Sequence, residues 1–213
     1  MYDAVEDPYC YPGTTVLKNK LKLKKQEELD AFEAEITAQR AEEPLPAGKL
    51  TYPHYRAIHK HLFQDVYDWA GKIRVVRISK GGSMFCYPES IDREMSKLFS
   101  TLAGQKQFKG TTPDEFSIKA AHFLADLNAI HPFREGNGRT QLTLLTLLAE
   151  SAGHPLAMER LDPDKVMQAM IDSFRGDEKP LAALIADLVE QQDFGDENRS
   201  GLPGGRGIRR SRF

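Results

Sequence analysis

The feature that most constrains the fold is a pair of helix-forming segments joined by a short loop. The first begins at Thr112-Pro-Asp-Glu115, where a capping threonine, a proline and a glutamate follow one another as they do at helix starts. Pro132 ends this helix near His131, and a leucine-rich segment from Arg139 to Ala152 follows the loop. The first helix presents one apolar face: Phe116, Ala120, Phe123, Leu124, Leu127 and Ile130.

The leucines of the second segment nearly encircle it, so we expect it to lie in the core: Leu142, Leu144, Leu145, Leu147 and Leu148. Helical spacing predicts further helices from Lys24 to Glu43, from Thr51 towards Gly71, from Ser90 to Ala103, from Asp162 to Phe174 and from Pro180 to Glu190. The expected inward faces of the first and fourth of these are Leu29, Phe32 and Ile36, and Val166, Met167, Met170, Ile171 and Phe174.

One region has the character of a β-hairpin. Ile73 to Ile78 is rich in β-branched residues, Lys80-Gly-Gly-Ser83 is a turn, and Met84 to Tyr87 is apolar and aromatic. The sequence therefore predicts a mainly α fold of about six to eight helices with one β-hairpin flap.

The length of 213 residues suggests one domain, which we place at residues 1–190 with an N-terminal arm and a core at about 50–175. Residues 191–213 are rich in glycine and arginine and predict a flexible basic tail. The formal charge of -2 argues against a wholesale nucleic-acid binder. Two separated cysteines and an acidic start without a signal-peptide pattern predict a cytoplasmic protein with no membrane association.

The loop at 131–139 has the residues of a phosphate site. Gly136, Asn137, Gly138 and Arg139 open the second helix, where glycines let backbone N–H groups approach an anion and arginine adds a forked donor. Glu135 is suited to hold Mg²⁺, which bridges phosphate oxygens. A neutral histidine in this loop could accept a proton from an attacking hydroxyl.

Simpler interpretations exist for each residue. His131 alone could be a helix-terminal histidine, Glu135 a solvated acid, and Asn137 a turn residue. His54, His59 and His61 are better explained by a polar helix surface than by a metal site, because no carboxylate stands at a suitable step.

The segment His131-Pro-Phe-Arg-Glu-Gly-Asn-Gly-Arg139 resembles the signature of Fic-domain proteins, His-Pro-Phe-x-Asp/Glu-Gly-Asn-Gly-Arg-x-x-Arg. The resemblance runs from the Asp7-Pro-Tyr start through Asp68-Trp-Ala-Gly71 to about Glu190, and the start resembles that of stand-alone bacterial Fic toxins. It implies a protein adenylyltransferase that moves AMP from ATP, with Mg²⁺, to a Ser, Thr or Tyr hydroxyl. DNA gyrase and topoisomerase IV would be the targets, and a small antitoxin would supply an inhibitory glutamate.

The resemblance also implies roles for single residues. His131 would be the base, Phe133 the anchor of the loop and Glu135 the Mg²⁺ ligand. Residues 136–139 would bind the phosphates. The flap that docks a target segment would comprise Ile78, Ser79, Lys80, Gly81, Gly82 and Ser83. Gly138 favours AMP transfer, because the phosphorylating branch of the family has lysine there.

Leu142 departs from the signature, whose final arginine contacts the terminal phosphate. Arg134 or Lys80 are the candidates to compensate. Three alternatives stay open: transfer of another group such as UMP, phosphate or phosphocholine; a catalytically weak nucleotide-binding regulatory module; and a DNA-binding accessory protein that uses the basic tail.

Overall fold

The mainly helical fold expected from the sequence is confirmed. A computed structural model describes residues 7–80 and 83–190, without the side chains of Lys80 and Ser83. Within these residues it contains seven α-helices: α1 Gln26–Glu42, α2 Tyr52–Phe63, α3 Ile91–Gly104, α4 Pro113–Ile130, α5 Asn137–Ala152, α6 Pro163–Phe174 and α7 Lys179–Leu188. None of the helices in this part of the chain is long and apolar enough to cross a bilayer.

Helices α4 and α5 form the centre of the molecule. α4 begins with the predicted capping box, in which Thr112 Oγ1 accepts from the Glu115 N–H and the Glu115 carboxylate accepts from the Thr112 N–H. α5 ends at Gly153, whose φ of 87° closes the last turn. The leucines of α5 are not all equally buried: Leu144, Leu145 and Leu148 are in the core, whereas Leu142 and Leu147 are half-buried.

The predicted apolar face of α6 is wrong in part. That of α1 packs on the core through Leu29, Phe32 and Ile36, but two polar residues beside it are buried as well. In α1 the buried residues are Leu29, Glu33 and Thr37, and the two polar ones are accommodated because they bond to other elements. In α6 the buried residues are Ala169 and Ser173. Met167 and Ile171 are instead 49% and 38% exposed, because α6 packs on α4 and α7 through its small residues.

The hairpin is shorter than predicted. Strands β1 Ser79–Lys80 and β2 Ser83–Met84 pair antiparallel, with Ser79 opposite Met84. Residues 73–78 are not a strand, because their backbone groups bond to other segments: the Arg74 N–H donates to the Pro132 carbonyl. Two predictions lie outside the described residues, the Gly81-Gly82 turn and the tail at 191–213.

An ordered N-terminal segment leads to α1. The backbones of Cys10 and Leu17 form an isolated antiparallel β-bridge. The Lys20 N–H donates to the Val66 carbonyl just after α2. Arg40 in α1 pairs with Asp65 at 2.6 Å between Nε and Oδ2. The arm and α1 are thereby fixed against the segment that follows α2.

Candidate active site

The loop at 131–139 begins with a histidine in a left-handed backbone conformation. His131 ends α4 with φ 50° and ψ 64°, and its N–H donates to the Leu127 carbonyl. Its ring stacks on that of Phe85 from the flap, with centroids 3.9 Å apart. The candidate base is therefore held by α4 through its backbone and by Phe85, just after β2, through its ring.

A buried histidine supports the middle of the loop. The ring of His59 in α2 stacks on Phe133, with centroids 3.7 Å apart, and Phe133 is fully buried. His59 Nδ1 accepts from the Gly71 N–H, so Nε2 carries the proton and donates to the Glu135 carbonyl. Burial lowers the pKa of His59 to about 4, which keeps this ring neutral at neutral pH.

The side chain of Asn137 shapes the loop. Its Oδ1 accepts from the Phe133 N–H and its Nδ2 donates to the Phe133 carbonyl, at 3.0 and 2.8 Å. Asn137 is 2% exposed. Because its amide is engaged inside the loop, the group that Asn137 can offer to an anion is its backbone N–H.

The start of α5 is open. Its N-cap is Gly136, with φ 80°, and among the described residues no side chain caps the helix. The first intrahelical bond runs from the Thr140 N–H to the Gly136 carbonyl, so the N–H groups of residues 137–139 precede the hydrogen-bonded part of the helix. A Cβ at Gly138 would meet nothing within 4 Å. The space beside Gly138 is therefore open.

Glu135 stands beside this open helix start. Its carboxylate accepts from the Gly136 N–H at 2.9 Å and lies 3.9 Å from Arg139 Nη2. The side chain is 46% exposed. One exposed carboxylate next to an anion site is what Mg²⁺ needs from a protein when phosphate oxygens and water complete its shell.

Arg139 is fixed by α1, a helix that the sequence did not connect with the loop. Its Nη2 donates to the Glu33 carboxylate and its Nη1 to Thr37 Oγ1. The guanidinium lies over the Phe63 ring, with Cζ 4.7 Å from the centroid. The Arg139 side chain is 39% exposed, so it keeps a face towards solvent while α1 sets its direction.

The flap and the loop share a buried arginine. Arg74 is 1% exposed, and its guanidinium donates to the carbonyls of Val76, Cys86, Ile130 and His131. Burial lowers the pKa of the Arg74 guanidinium, and the four carbonyl oxygens compensate for its lost hydration. Because Val76 and Cys86 lie on the two sides of the hairpin, Arg74 joins both sides of the hairpin to the 131–139 loop.

The structure brings most of the predicted site residues together but not all candidate compensators. Arg134 is engaged by Asp7 of the N-terminal arm, 2.8 Å from its Nη2. The Lys80 side chain lies outside the described residues. Sequence reasoning missed the supporting residues Glu33, Thr37 and Arg74. The assignment of His54 and His59 to a polar helix surface was wrong, because both side chains are buried. Glu33 and Thr37 are four residues apart and so share one face of α1, but α1 is polar nearly all round, and no signal in the sequence distinguishes this pair from its neighbours.

Known proteins are similar to this chain in sequence and in architecture. The Fic/DOC family matches residues 49–149. A probable protein adenylyltransferase, y4lH of Sinorhizobium fredii, is 52% identical over 88% of this chain and 98% of its own length. The probable protein adenylyltransferase Fic of Escherichia coli is 33% identical over 87% of this chain and 93% of its own length.

A solved structure of a relative contains a nucleotide. The fold is similar to that of BepC, a VirB-translocated effector protein of Bartonella tribocorum with bound AMPPNP. The TM-score is 0.78 at 27% identity, over 86% of this chain and 97% of that one. The chain therefore belongs to the Fic/DOC family, and the enzyme class expected from its sequence is the one that its relatives carry in their names.

Proposed function

We propose that this protein transfers AMP from ATP to a Ser, Thr or Tyr hydroxyl of a target protein, and that residues 131–139 carry the reaction. The observation that carries the proposal is the open start of α5, with three N–H groups ahead of the first helical bond and His131, Glu135 and Arg139 around it. The relative BepC holds AMPPNP, a triphosphate of the same class. These features together favour a nucleoside triphosphate at the helix start.

In the proposed reaction His131 accepts the proton of the target hydroxyl while its oxygen attacks the α-phosphorus. The oxygen–phosphorus bond forms as the bond to the β-phosphate breaks, and pyrophosphate leaves. The N–H groups of residues 137–139 and the guanidinium of Arg139 stabilise the negative charge on the phosphates. Glu135 would hold Mg²⁺, which would neutralise phosphate charge when bound.

The target segment would lie along the flap at residues 78–83. The edges of β1 and β2 are short, and the ring of Phe85, next to β2, already touches His131. A target strand added there would present its hydroxyl near the imidazole. As in the toxins that the sequence resembles, the targets would be the ATPase subunits of DNA gyrase and topoisomerase IV, and a small antitoxin would inhibit the enzyme with a glutamate.

The test is incubation of the purified protein with gyrase, Mg²⁺ and ATP labelled at the α- or the γ-phosphate. We expect α-label on gyrase, no γ-label, and loss of transfer by a factor of about 10² to 10⁴ in His131→Ala. Label on another lysate protein would retain the chemistry and reject gyrase. Transfer of γ-label would show a kinase, and transfer from α-labelled UTP alone would show a different donor.

A regulatory nucleotide-binding module is the second candidate, and Leu142 favours it. The position of the second signature arginine holds a half-buried leucine, and Arg134 is paired with Asp7. Of the two arginines in the signature, this chain therefore has the first, Arg139, and lacks the second. This candidate would be supported if the protein, without an antitoxin, binds AMPPNP but transfers no AMP from ATP to any lysate protein.

A further inference from the structure

The contact between α1 and the loop suggests a role for an acid outside the 49–149 segment that matches the family. We propose that Glu33 is a positioning residue that holds Arg139 in the orientation in which it receives the β- and γ-phosphates of ATP. This inference rests on the proposed function, since it concerns the phosphate role of Arg139.

Glu33 is buried although it is charged. Only 8% of the residue is exposed, and its carboxylate accepts from two groups, Arg139 Nη2 and the Tyr67 hydroxyl. Burial, together with the charge of Glu33, raises the pKa of Tyr67, so this hydroxyl stays protonated and remains a donor. A buried acid is retained only where such partners compensate for its desolvation.

The arrangement fixes two of the nitrogens of Arg139 and leaves donors for a ligand. Nη2 is bound by Glu33, and Nη1 is bound by Thr37 Oγ1 at 3.1 Å. A guanidinium carries five N–H donors, of which these contacts use only two. The Phe63 ring covers one face of the group, 4.7 Å from Cζ. The rest of the fork can bind phosphate oxygens.

Ordering of the Arg139 side chain before the ligand arrives should increase affinity for the ligand. A long side chain that is ordered before the ligand arrives loses little entropy on binding. Competition between Glu33 and phosphate for the same guanidinium would act in the opposite direction, because removing the acid would free Arg139 and reduce repulsion. Ordering and competition therefore predict opposite signs for the same substitution.

The experiment is calorimetric titration of the full chain with Mg²⁺·AMPPNP and, separately, with AMP. Both ligands can bind without a target protein, and mass spectrometry of the protein after titration checks that no AMP has been transferred to the protein itself. The variants are Glu33→Ala, Glu33→Gln, Arg139→Ala and Glu33→Ala/Arg139→Ala. Glu35→Ala on the exposed face of the same helix is the matched control for charge, and Tyr67→Phe tests the second partner of Glu33 with a smaller change. Thermal unfolding of each variant checks that it is folded.

We expect Glu33→Ala to weaken AMPPNP binding by about tenfold, with AMP affinity and the Glu35→Ala control unchanged. Glu33→Gln, whose amide oxygen can still accept from Arg139, should lose less, and Tyr67→Phe less again. The double variant should bind like Arg139→Ala, because Glu33 acts through that residue. If Glu33 had only a structural role, Glu33→Gln would not restore AMPPNP affinity while AMP affinity stays unchanged.

Tighter AMPPNP binding in Glu33→Ala would overturn the proposal in favour of competition. Equal loss for AMP and AMPPNP, or additive losses in the double variant, would also overturn it. If Arg139→Ala binds AMPPNP as the wild type does, the phosphate role assigned to Arg139 fails, and this inference fails with it. If Arg139→Ala loses affinity and Glu33→Ala does not, only the role of Glu33 is rejected.

Discussion

Helices α4 and α5 pack together in the core, yet they begin in opposite ways. At α4, Pro113 removes one backbone donor and Thr112 accepts from another, while Glu115 closes the box. At α5, Gly136 contributes no side chain, and none in the described part of the chain takes the place of a cap. The closed start stabilises the helix by itself, whereas the open start leaves donors for a ligand. The proposed site thus lies at the helix start that lacks a stabilising side-chain cap.

The open start of α5 follows a loop that His59 contacts. We expect protonation of this histidine to have the largest effect on stability. His59 holds the Glu135 carbonyl and is neutral in the fold, with a pKa of about 4 against 6.5 for an ordinary histidine. Below pH 6.5 the unfolded chain therefore binds a proton that the folded chain refuses. Stability should fall by up to about 3 kcal/mol between pH 6.5 and 4, and chemical denaturation measures this. An NMR titration that places the pKa of His59 near 6.5 would refute the prediction.

Gly136 tests whether the open start requires glycine. Its φ is 80°, and a Cβ there would lie 2.3 Å from Cζ of Phe63. Gly136→Ala should reduce the free energy of unfolding by about 2 kcal/mol, through left-handed strain and overpacking, and should weaken AMPPNP binding. Urea denaturation and calorimetry check the two effects. Unchanged stability would mean that the backbone at 136 can relax away from the ring.

Thr112 tests the closed start. Thr112→Ala removes the hydroxyl that accepts from Glu115, and should cost about 1 kcal/mol of stability. Nucleotide affinity should not change, because Thr112 and His131 lie at opposite ends of α4. Thr112→Ser is the matched control and should be nearly neutral. A loss of AMPPNP binding in Thr112→Ala would break the division between a structural and a functional helix start.

Gly138 gives the smallest effect and has the opposite sign in stability. A Cβ at this position meets nothing within 4 Å, and the residue lies in the first turn of α5. Gly138→Ala should stabilise the fold by about 0.5 to 1 kcal/mol, because alanine loses less backbone entropy in a helix. It should nevertheless weaken AMPPNP binding, since the methyl group occupies the approach to the helix donors. Unchanged affinity would show that the phosphates do not come close to this residue.

The two helix starts also show what could be predicted from sequence. The cap at Thr112 was predictable residue by residue, because it depends on four consecutive residues. The number of helices followed from apolar spacing, although α2 ends at Phe63 rather than near Gly71 and residues 73–78 are not a strand. The buried faces of α1 and α6 did not, because Glu33 and Thr37 are buried through bonds to Arg139, about a hundred positions away, and Ala169 and Ser173 through close helix packing. No local pattern reports such distant partners.

Arg74 has a consequence for the proposed division between target recognition and proton transfer. One guanidinium holds the carbonyls of Val76, Cys86, Ile130 and His131, so the two roots of the flap and the backbone of the base are fixed to a common point. The residues at the tip of the hairpin can then be exchanged to suit a new target without moving the imidazole. In the proposed reaction a buried cation would thereby separate the choice of target from the proton transfer.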